Sequence, residues 1–436
     1  MREMKNSGIE WIGEIPADWK ICKIKNKFSV FSGATPKSDH PEFWDGDIAW
    51  VTPADYKTTD KYITSGKRTL SDEGYNSCGT TIVPADSIVF SKRAPIGSVA
   101  ISKNELCTNQ GCLSCVIKSE ENVLFYYYVL SVFTEIFELY GSGTTFREIS
   151  FDAFSSFYIP APSMREQAEI VDYLDQKCVE IDAIIEKTKT TIEEYKKLKQ
   201  SVIIDAVTRG IRGNRPMKDS GIEWIGEIPA DWAVIPFRYA LKERQEKNSP
   251  IKSTERLSLS IDLGVTLYSE KTTNLDRFKE DFEQYKLAYR GDLVMNSMNM
   301  IVGATGVSEY DGCVSPAYYT FYDELEDHMT AKYCEYIFRS KAMLRILFSL
   351  GKGIYAIVRG DDRVNTCRLK VAKEDLRSIK IPFPAIAEQR EIVSYIDQKC
   401  AEIDFLIAKK ADLLKEMENY KKSIIYEYVT GKKEVL

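Results

Sequence analysis

The sequence predicts an α+β fold in which two globular bodies are separated by a pair of long antiparallel coiled-coil helices, arranged as a pseudo-twofold internal repeat. Two repeated segments carry this prediction. "MKNSGIEWIGEIPADW" (Met4–Trp19) recurs as "MKDSGIEWIGEIPADW" (Met217–Trp232). "EQAEIVDYLDQKCVEID" (Glu166–Asp182) recurs as "EQREIVSYIDQKCAEID" (Glu388–Asp404). Such repetition is typical of a duplicated architecture.

The repeats divide the chain into segments that alternate between a repeated frame and two bodies of different sequence. In chain order we expect an N-terminal segment (1–19), a first body (20–158), a central helix (159–213), a repeated opening segment (214–232), a second body (233–380) and a distal helix (381–436). The frame therefore performs one task twice, whereas the two bodies perform tasks that differ.

The segments Glu166–Arg209 and Glu388–Val429 are predicted to form the two long helices. Apolar residues recur in both at alternating spacings of three and four, the heptad pattern of a coiled coil, and a glycine follows the last turn of each. Lys199 and Lys421 interrupt the apolar pattern; such residues cost stability and can fix the register. The alternative is that each helix packs on its own body or pairs with a second chain.

Each body is predicted to be an α+β domain in which strands precede a helix. In the first body we predict strands over Asp47–Thr52, Thr81–Lys92 and Gly111–Ile117 and a helix over Asn122–Gly141. In the second body we predict strands over Gly291–Ser297 and Ser315–Tyr322 and a helix over Ala331–Gly351. Loops rich in glycine, serine, threonine and asparagine separate these elements, as expected where side chains adapt to a ligand.

Composition excludes several classes of protein. Apolar residues make up 44% and charged residues 28% of the chain, as in ordinary globular proteins. Because there is neither a membrane-length apolar run nor an apolar signal segment, we expect a cytoplasmic protein with reduced thiols. The formal charge of −6 excludes a uniformly basic nucleic-acid binder, but not one with locally segregated charge. With two histidines and no phosphate-binding glycine loop, no catalytic or cofactor-binding residue is predicted.

Three cysteines form a candidate metal site. Cys107, Cys112 and Cys115 have the spacing of three ligands of a plant-type iron–sulfur cluster, and a fourth would come from Cys22 or Cys78. However, Cys112 and Cys115 fall at opposite-facing positions of a predicted strand, and the second body has no counterpart. Buried structural thiols are therefore favoured, and no metal site is predicted.

Loops in both bodies carry side chains suited to DNA phosphates and to base edges in a groove. Basic residues concentrate between 339 and 370, around "GKGIYAIVRGDDR" (Gly351–Arg363). The first body offers "SKRAPIG" (Ser91–Gly97) and "GSGTTFRE" (Gly141–Glu148), and the second answers the former with "NSMNMIVG" (Asn296–Gly303). For any single residue the alternative is a solvated loop face. The predicted DNA contacts are Lys92, Arg93, Thr144, Thr145, Arg147, Asn296, Asn299, Lys352, Tyr355, Arg359, Arg363 and Arg368.

Over essentially its whole length the chain resembles the specificity subunits of type I restriction–modification systems. The resemblance rests on the doubled "SGIEWIGEIPADW", the doubled "EQ-x-EIV-x-Y-[LI]-DQKC-x-EID", and two dissimilar bodies between two long helices. In addition, "VTPADY" (Val51–Tyr56), "SKRAPIGSVAI" (Ser91–Ile101) and "RGDLVMNSM" (Arg290–Met298) look like phrases of the family's target recognition domains.

The resemblance implies a non-catalytic subunit in which each body is a target recognition domain that reads one half of a bipartite double-stranded DNA site. The helices would set the spacer and dock two modification (methyltransferase) subunits, which methylate adenine with S-adenosylmethionine. Restriction (ATPase and nuclease) subunits would use ATP and Mg²⁺. No cofactor and no membrane contact are expected on this chain. Two alternatives stay open: a stand-alone DNA methyltransferase or nuclease with cryptic motifs, and a coiled-coil scaffold that does not bind DNA.

Overall fold

The computed structural model of the chain describes residues 2–56, 60–93, 95–141, 147–271, 281–324, 328–354, 357–358, 364–365 and 368–435. Their contacts form two compact units. Unit 1 comprises residues 1–189 together with 412–436, and unit 2 comprises residues 190–411. Each unit therefore contains one body and segments of both long helices.

Unit 1 holds the N-terminal segment and the first body, and apart from the long helices this unit is built from short strands and short helices. Its strands are β1 (Met4–Asn6), β2 (Glu14–Pro16), β3 (Lys20–Lys23), β4 (Phe28–Ser32), β5 (Trp44–Val51), β6 (Tyr62–Ile63), β7 (Thr69–Leu70), β8 (Ile88–Ser91), β9 (Val99–Ser102), β10 (Cys107–Thr108), β11 (Cys112–Ile117) and β12 (Tyr158–Ala161). Its short helices are α1 (Ile24–Lys27), α2 (Asp72–Asn76), α3 (Val123–Val132), α4 (Thr134–Tyr140) and α5 (Phe151–Ser155).

A five-stranded sheet in the order β4-β11-β8-β9-β6 is the centre of the first body. Successive side chains of a strand point to opposite faces. Accordingly, Phe90 of β8 packs against Phe154 of α5 in the helical core, whereas its neighbour Val89 lies in a second apolar cluster with Val51. The central strand is thus buried on both faces, and its ends are the parts left to contact a ligand.

Unit 2 holds the second body and begins within a long helix, α6 (Met164–Arg209), that starts in unit 1. Its strands are β13 (Met217–Asp219), β14 (Glu227–Pro229), β15 (Ala233–Pro236), β16 (Lys242–Glu243), β17 (Leu257–Ser260), β18 (Gly264–Leu267), β19 (Lys286–Ala288), β20 (Leu293–Asn296), β21 (Thr305–Val307), β22 (Gly312–Val314), β23 (Tyr318–Tyr322), β24 (Gly351–Ile354), β25 (Ile357–Val358), β26 (Val364–Asn365), β27 (Arg368–Val371) and β28 (Lys380–Phe383). Its helices are α7 (Tyr268–Lys271), α8 (Met329–Arg339), α9 (Lys341–Leu350), α10 (Lys373–Ser378) and the first part of α11 (Ile386–Val429).

The two bodies share a topology that their sequences conceal. The order β4-β11-β8-β9 in unit 1 corresponds to β16-β23-β20-β21 in unit 2, and a pair of helices follows the sheet in each. The antiparallel pair β3 and β12 closes the first body, and β15 and β28 close the second in the same way. The α+β class predicted for both bodies is therefore confirmed, and the duplication extends to their backbones.

The predicted long helices are confirmed as α6 and α11. Ser163 and Glu166 form a capping box at the start of α6, in which each side chain accepts a hydrogen bond from the other residue's backbone amide. Gly210 and Gly431 follow the helices with φ of +73° and +71°, the left-handed conformation that ends a helix at little cost to glycine.

Within each unit the paired segments of α6 and α11 run antiparallel. In unit 1, Lys421 Nζ lies 2.6 Å from Asp182 Oδ1, and the rings of Tyr173 and Tyr428 are 4.4 Å apart, so the partner number falls as the number along α6 rises. In unit 2, Lys199 Nζ lies 2.6 Å from Asp404 Oδ2, and Arg212, three residues after the end of α6, lies 2.7 Å from Glu391 near the start of α11.

The two lysines that interrupt the heptad pattern therefore bind aspartates of the other helix, and both aspartates belong to the repeated motif. Because these ion pairs are partly exposed, each contributes at most about 1 kcal/mol to stability. Their main effect is on register: a helix pair shifted by one residue would leave the lysine beside an apolar position.

The helix predicted over Asn122–Gly141 is wrong as a single element, and so is that over Ala331–Gly351. The first breaks at Phe133 with a bend of 63° between α3 and α4. The second breaks at Ser340, whose hydroxyl donates to the Ile337 carbonyl at 2.7 Å and accepts from the Met343 amide. Ser340 thus bonds to the backbone on both sides of the break, so the helix ends there without a glycine or a proline.

Among the described residues no single helix is long and apolar enough to cross a membrane, and only the bent pair α3 and α4 passes that test when joined. The apolar side chains of this pair, such as Phe125, Val129 and Phe137, are fully buried in the core of unit 1.

Candidate nucleic-acid interface

In unit 1 the turn between β8 and β9 lies against the segment that precedes α5. The Ile149 amide donates to the Lys92 carbonyl at 3.0 Å. Arg93 pairs with Glu148 through a backbone bridge and through an ion pair of 2.6 Å between Nε and Oε2. Residues that are 55 positions apart in sequence thus form one surface at the end of the central strand.

Gly97 permits the close approach of this turn to α4. Its φ is +90°, and a Cβ atom at this position would lie 2.7 Å from Thr134 Cγ2. A larger residue would therefore be strained in its backbone and would push the turn away from the helix. The Thr134 hydroxyl also donates to the Gly97 carbonyl at 3.3 Å, which holds the turn in place.

Unit 2 repeats this arrangement with different side chains. The Val371 amide donates to the Ser297 carbonyl at 3.0 Å, as Ile149 does to Lys92 in unit 1. Gly303, with φ of +97°, takes the place of Gly97 and lies beside Leu344 of α9. Each body thus presents the turn after its central strand together with the segment that follows its second helix.

The predicted DNA contacts of the first body differ in their solvent exposure. Arg147 is exposed, and Lys92 is half-buried with its amide bonded to the Gly111 carbonyl. The hydrogen bond from Arg93 holds the pKa of Glu148 below its usual range, so the guanidinium faces a charged carboxylate. Arg93 can therefore bind a DNA phosphate only in competition with its ion pair to Glu148. The predicted contacts Thr144 and Thr145 lie outside the described residues.

In the second body only part of the predicted set is exposed. Asn296 is buried, and its Oδ1 accepts from the Met298 amide at 3.1 Å, so it closes the turn rather than facing outward. Asn299 is exposed, and so is Lys352, which pairs with Asp375 at 3.0 Å. The predicted contacts Tyr355, Arg359 and Arg363 lie outside the described residues, as does the side chain of Arg368, whose backbone belongs to β27.

The polar pattern overlooked apolar side chains on the same turn. Met298 and Val302 flank Asn299 and are 41% and 49% exposed. Ile261 and Leu263, at the tip of the β17–β18 hairpin, are also exposed, and Ile261 approaches Gly303 of the turn. The signal that could have found them is an apolar pair within an otherwise polar loop. Such side chains suit the methyl group of thymine in the major groove.

A second set of residues, in the frame, joins each opening segment to the start of a long helix. In unit 2, Glu388 accepts from Trp232 Nε1 at 3.0 Å and pairs with Arg215 Nη1 at 2.6 Å. In unit 1, Glu166 accepts from Trp19 Nε1 at 3.1 Å and pairs with Arg2. The arginines were missed because each precedes the repeated segment by two residues.

The cysteines do not come together as ligands. Cys112 lies in the apolar cluster of Val51, and Cys115 lies in the helical core on the other face of the sheet. Burial raises the pKa of Cys107 to about 11 and that of Cys112 to about 12, which keeps both as thiols. Across the described part of the chain, no group of three His, Cys, Asp or Glu side chains is placed to hold a metal ion.

Sequence comparisons identify proteins that are similar to this chain. Residues 16–194 match the family model described as the type I restriction modification DNA specificity domain. The type I restriction enzyme MjaIX specificity subunit of Methanocaldococcus jannaschii is 32% identical over 251 residues, a match that spans only about half of either chain (55%). The MjaVIII specificity subunit of the same organism is 21% identical over 433 residues, which cover 96% of this chain and 93% of that one.

The fold has relatives among solved structures. A chain from a study of complex assembly and conformational transition of the type I R-M system superposes with a TM-score of 0.69 at 14% identity. The superposition covers 97% of this chain and 99% of the other, so the likeness in fold extends over both units. In its doubled frame, in the specificity domain matched over residues 16–194 and in a fold shared along both units, the chain is similar to the type I restriction–modification specificity subunits.

Proposed function

We propose that the chain is the DNA-specificity subunit of a type I restriction–modification complex, in which each body reads one half of a bipartite double-stranded DNA site. One observation carries this proposal. The turn after β8 and the turn after β20 have the same backbone contacts, Ile149 to Lys92 and Val371 to Ser297, but present different side chains. Two domains that recognise different base sequences in the same way require a constant backbone with variable side chains.

The long helices are proposed to set the spacer and to dock two modification subunits. A duplicated frame offers two equivalent surfaces, which suits a symmetric pair of partners. The modification subunits would bind S-adenosylmethionine and methylate adenine. Restriction subunits would bind ATP and Mg²⁺ and cut the DNA. Specificity subunits are non-catalytic, and we assign no reaction and no cofactor to this chain.

Methylome sequencing of cells that carry the chain with its modification subunits tests this function. The expected result is adenine methylation confined to one bipartite motif, lost when the gene for this chain is deleted. Methylation by the purified chain alone would instead favour a stand-alone methyltransferase. Failure of the complex to bind or modify any DNA would favour a scaffold. Because of its formal charge of −6, the isolated chain is expected to bind DNA weakly, with a steep dependence on salt.

Arg147 is the clearest single test of the interface in the first body, because it is exposed beside the β8–β9 turn. Arg147→Ala is expected to weaken DNA binding by the complex by about 1–3 kcal/mol if the arginine reads a base, with relaxed specificity at one position. A phosphate contact would instead weaken all sites alike and reduce the salt slope by about one. Competition binding over a range of salt concentrations distinguishes these results.

Lys118→Ala is the matched control, since it removes an equal charge from an exposed residue beyond the opposite end of β11. It is expected to leave affinity and salt slope unchanged. Equal effects of the two substitutions would mean that DNA responds to the overall charge of the body, and the interface assigned to the β8–β9 turn would then be wrong.

A further inference from the structure

A tyrosine of the first body is bonded to the long helix of unit 1. Tyr128 of α3 donates from its hydroxyl to Asp175 Oδ1 of α6 at 2.5 Å. Lys61, which precedes β6, places its Nζ 2.5 Å from the same carboxylate oxygen and 3.1 Å from the Tyr128 hydroxyl. Two parts of the body thus meet one aspartate of the frame.

The second body makes the same bond from a different sequence. Tyr336 of α8 donates to Asp397 of α11. Asp397 occupies the place of Asp175 in the repeated motif, "YLDQKC" in one copy and "YIDQKC" in the other. The helices that supply the tyrosines, "VLFYYYVLSV" and "MTAKYCEYIFR", share little else. The bond between tyrosine and aspartate is thus present in both units although the two bodies differ in sequence. This points to a function of the bond in the repeated frame.

The bond differs in kind from the contacts around it. Each body also packs on its long helix through apolar side chains, among them Val129 of α3 and Leu174 of α6, which belong to one core cluster. Apolar contact is non-directional and tolerates small rotations, whereas a hydrogen bond weakens steeply when its angle changes. Burial, and then the hydrogen bond to aspartate, raise the pKa of Tyr128 and of Tyr336. Both phenols therefore remain protonated donors.

We propose that Asp175 and Asp397 are positioning residues that fix the orientation of each body on its helix through Tyr128 and Tyr336, and thereby fix the spacer length at which the two half-sites are accepted. This inference rests on the proposed function and extends it. The reading turn of each body lies at the end of its central strand, so a small rotation of a body about its helix displaces that turn along the DNA. Spacer selectivity therefore depends on the bond, whereas base selectivity depends on the turns.

The two units differ in what else holds the aspartate and the glutamine of the repeated motif. Unit 2 has a further bond between body and frame, from the Tyr333 hydroxyl to the Val207 carbonyl at 2.9 Å. In unit 1, Gln167 of α6 also holds the body, because its Oε1 accepts from the Asn122 amide at 2.9 Å and its Nε2 donates to Glu121 at 2.7 Å. In unit 2 the equivalent Gln389 donates to the Pro384 carbonyl, and its buried Oε1 meets no donor among the described residues. When Tyr128 loses its hydroxyl, Asp175 keeps Lys61, whereas Asp397 has no second partner among the described residues. Loss of the tyrosine hydroxyl should therefore matter more in the second body.

Tyr336→Phe and Tyr128→Phe test the inference in the complete complex with modification subunits. Methylome sequencing is expected to show that Tyr336→Phe raises the share of modified sites whose spacer is one base pair too long or too short by about tenfold, as for loss of a hydrogen bond to a charged group. Tyr128→Phe should give a smaller rise. The bases of both half-sites should stay unchanged in both variants. Tyr127→Phe is the matched control, because the Tyr127 hydroxyl bonds to no group among the described residues, and it should behave as the natural chain does.

Spin-label distances provide a readout that does not depend on DNA. Labels replace exposed Glu309 of the second body and Glu402 of α11 in one sample, and Glu105 and Glu180 of unit 1 in another. The distance distribution between the labels is expected to widen in the full chain with Tyr336→Phe for the first pair, and less with Tyr128→Phe for the second.

Unchanged distances together with unchanged spacer selectivity would overturn the inference, and so would altered half-site bases, which indicate a disturbed reading turn. If the natural complex modifies no bipartite site, the proposed function fails, and the label distances alone decide whether the aspartates orient the bodies.

Discussion

Exchange of residues 24–157 for the corresponding body of a related specificity subunit is expected to replace one half of the recognised DNA site and to leave the other half unchanged. The structure shows where the exchanged body can be joined to the frame. β3 and β12 pair antiparallel, with Lys23 opposite Tyr158, so cuts just inside these strands keep the closing pair within the frame. Each mismatched base pair costs about 1–3 kcal/mol, so a new half-site that differs at several positions should abolish modification of the original site.

Methylome sequencing of the exchanged chain with its modification subunits measures the outcome. The donor body should carry a tyrosine at the position of Tyr128, so that the bond to Asp175 is kept. The reciprocal exchange in unit 2, inside the β15 and β28 pair, serves as control and should change only the other half-site. If one exchange altered both halves, the assignment of one body to one half-site would be wrong.

Glu388→Ala is expected to destabilise unit 2 by about 3–5 kcal/mol, because it leaves the guanidinium of Arg215 buried without its charge partner. The Glu388 and Arg215 side chains are only 6% and 14% exposed, and the ring of Trp232 covers the guanidinium at 5.2 Å. Gly210 lies against the same group, where an added Cβ would be 2.7 Å from Arg215 Nη2. The guanidinium is therefore closely surrounded by Trp232, Gly210 and Glu388.

Urea unfolding of the full chain, followed by tryptophan fluorescence, measures this loss. Glu166→Ala in unit 1 should cost less, about 1–2 kcal/mol, because water reaches both Glu166 and Arg2. Glu391→Ala, one turn further along α11, breaks an exposed pair with Arg212 and should have no measurable effect. Equal losses for Glu388 and Glu391 would show that burial of the cluster contributes nothing.

The frame could be predicted from the sequence because its signals are local. Heptad spacing and the glycines at 210 and 431 give the helix bounds to within two residues. The partner of Lys199 could not be predicted in this way, since spacing shows that a lysine interrupts the seam but not that Asp404 lies opposite. The common topology of the bodies was hidden for a related reason. Its contacts, such as Ile149 to Lys92, join backbone atoms, which nearly every type of residue carries.

The sequence predicts which loops carry the candidate site, but not which of their side chains are exposed. The polar residue types point to the turns after β8 and β20, yet they could not separate exposed Asn299 from buried Asn296, three residues earlier in the same loop. The difference is made by the backbone, which turns after Asn296 and uses its side chain as an acceptor. Exposed Met298 and Val302 were missed because an apolar residue in a loop gives no polar signal.

The composition of unit 1 has a consequence for the order of events during synthesis on the ribosome. Unit 2 is continuous in sequence, whereas unit 1 needs residues 412–436 to cover α6. Ile181 and Ile185 of α6 belong to the same core cluster as Ile424 and Val429. The part of the chain that is translated first is therefore completed last, and its nascent apolar stripe stays uncovered while unit 2 forms. A stop codon shortly after residue 411 would spare the second unit and leave the first one open.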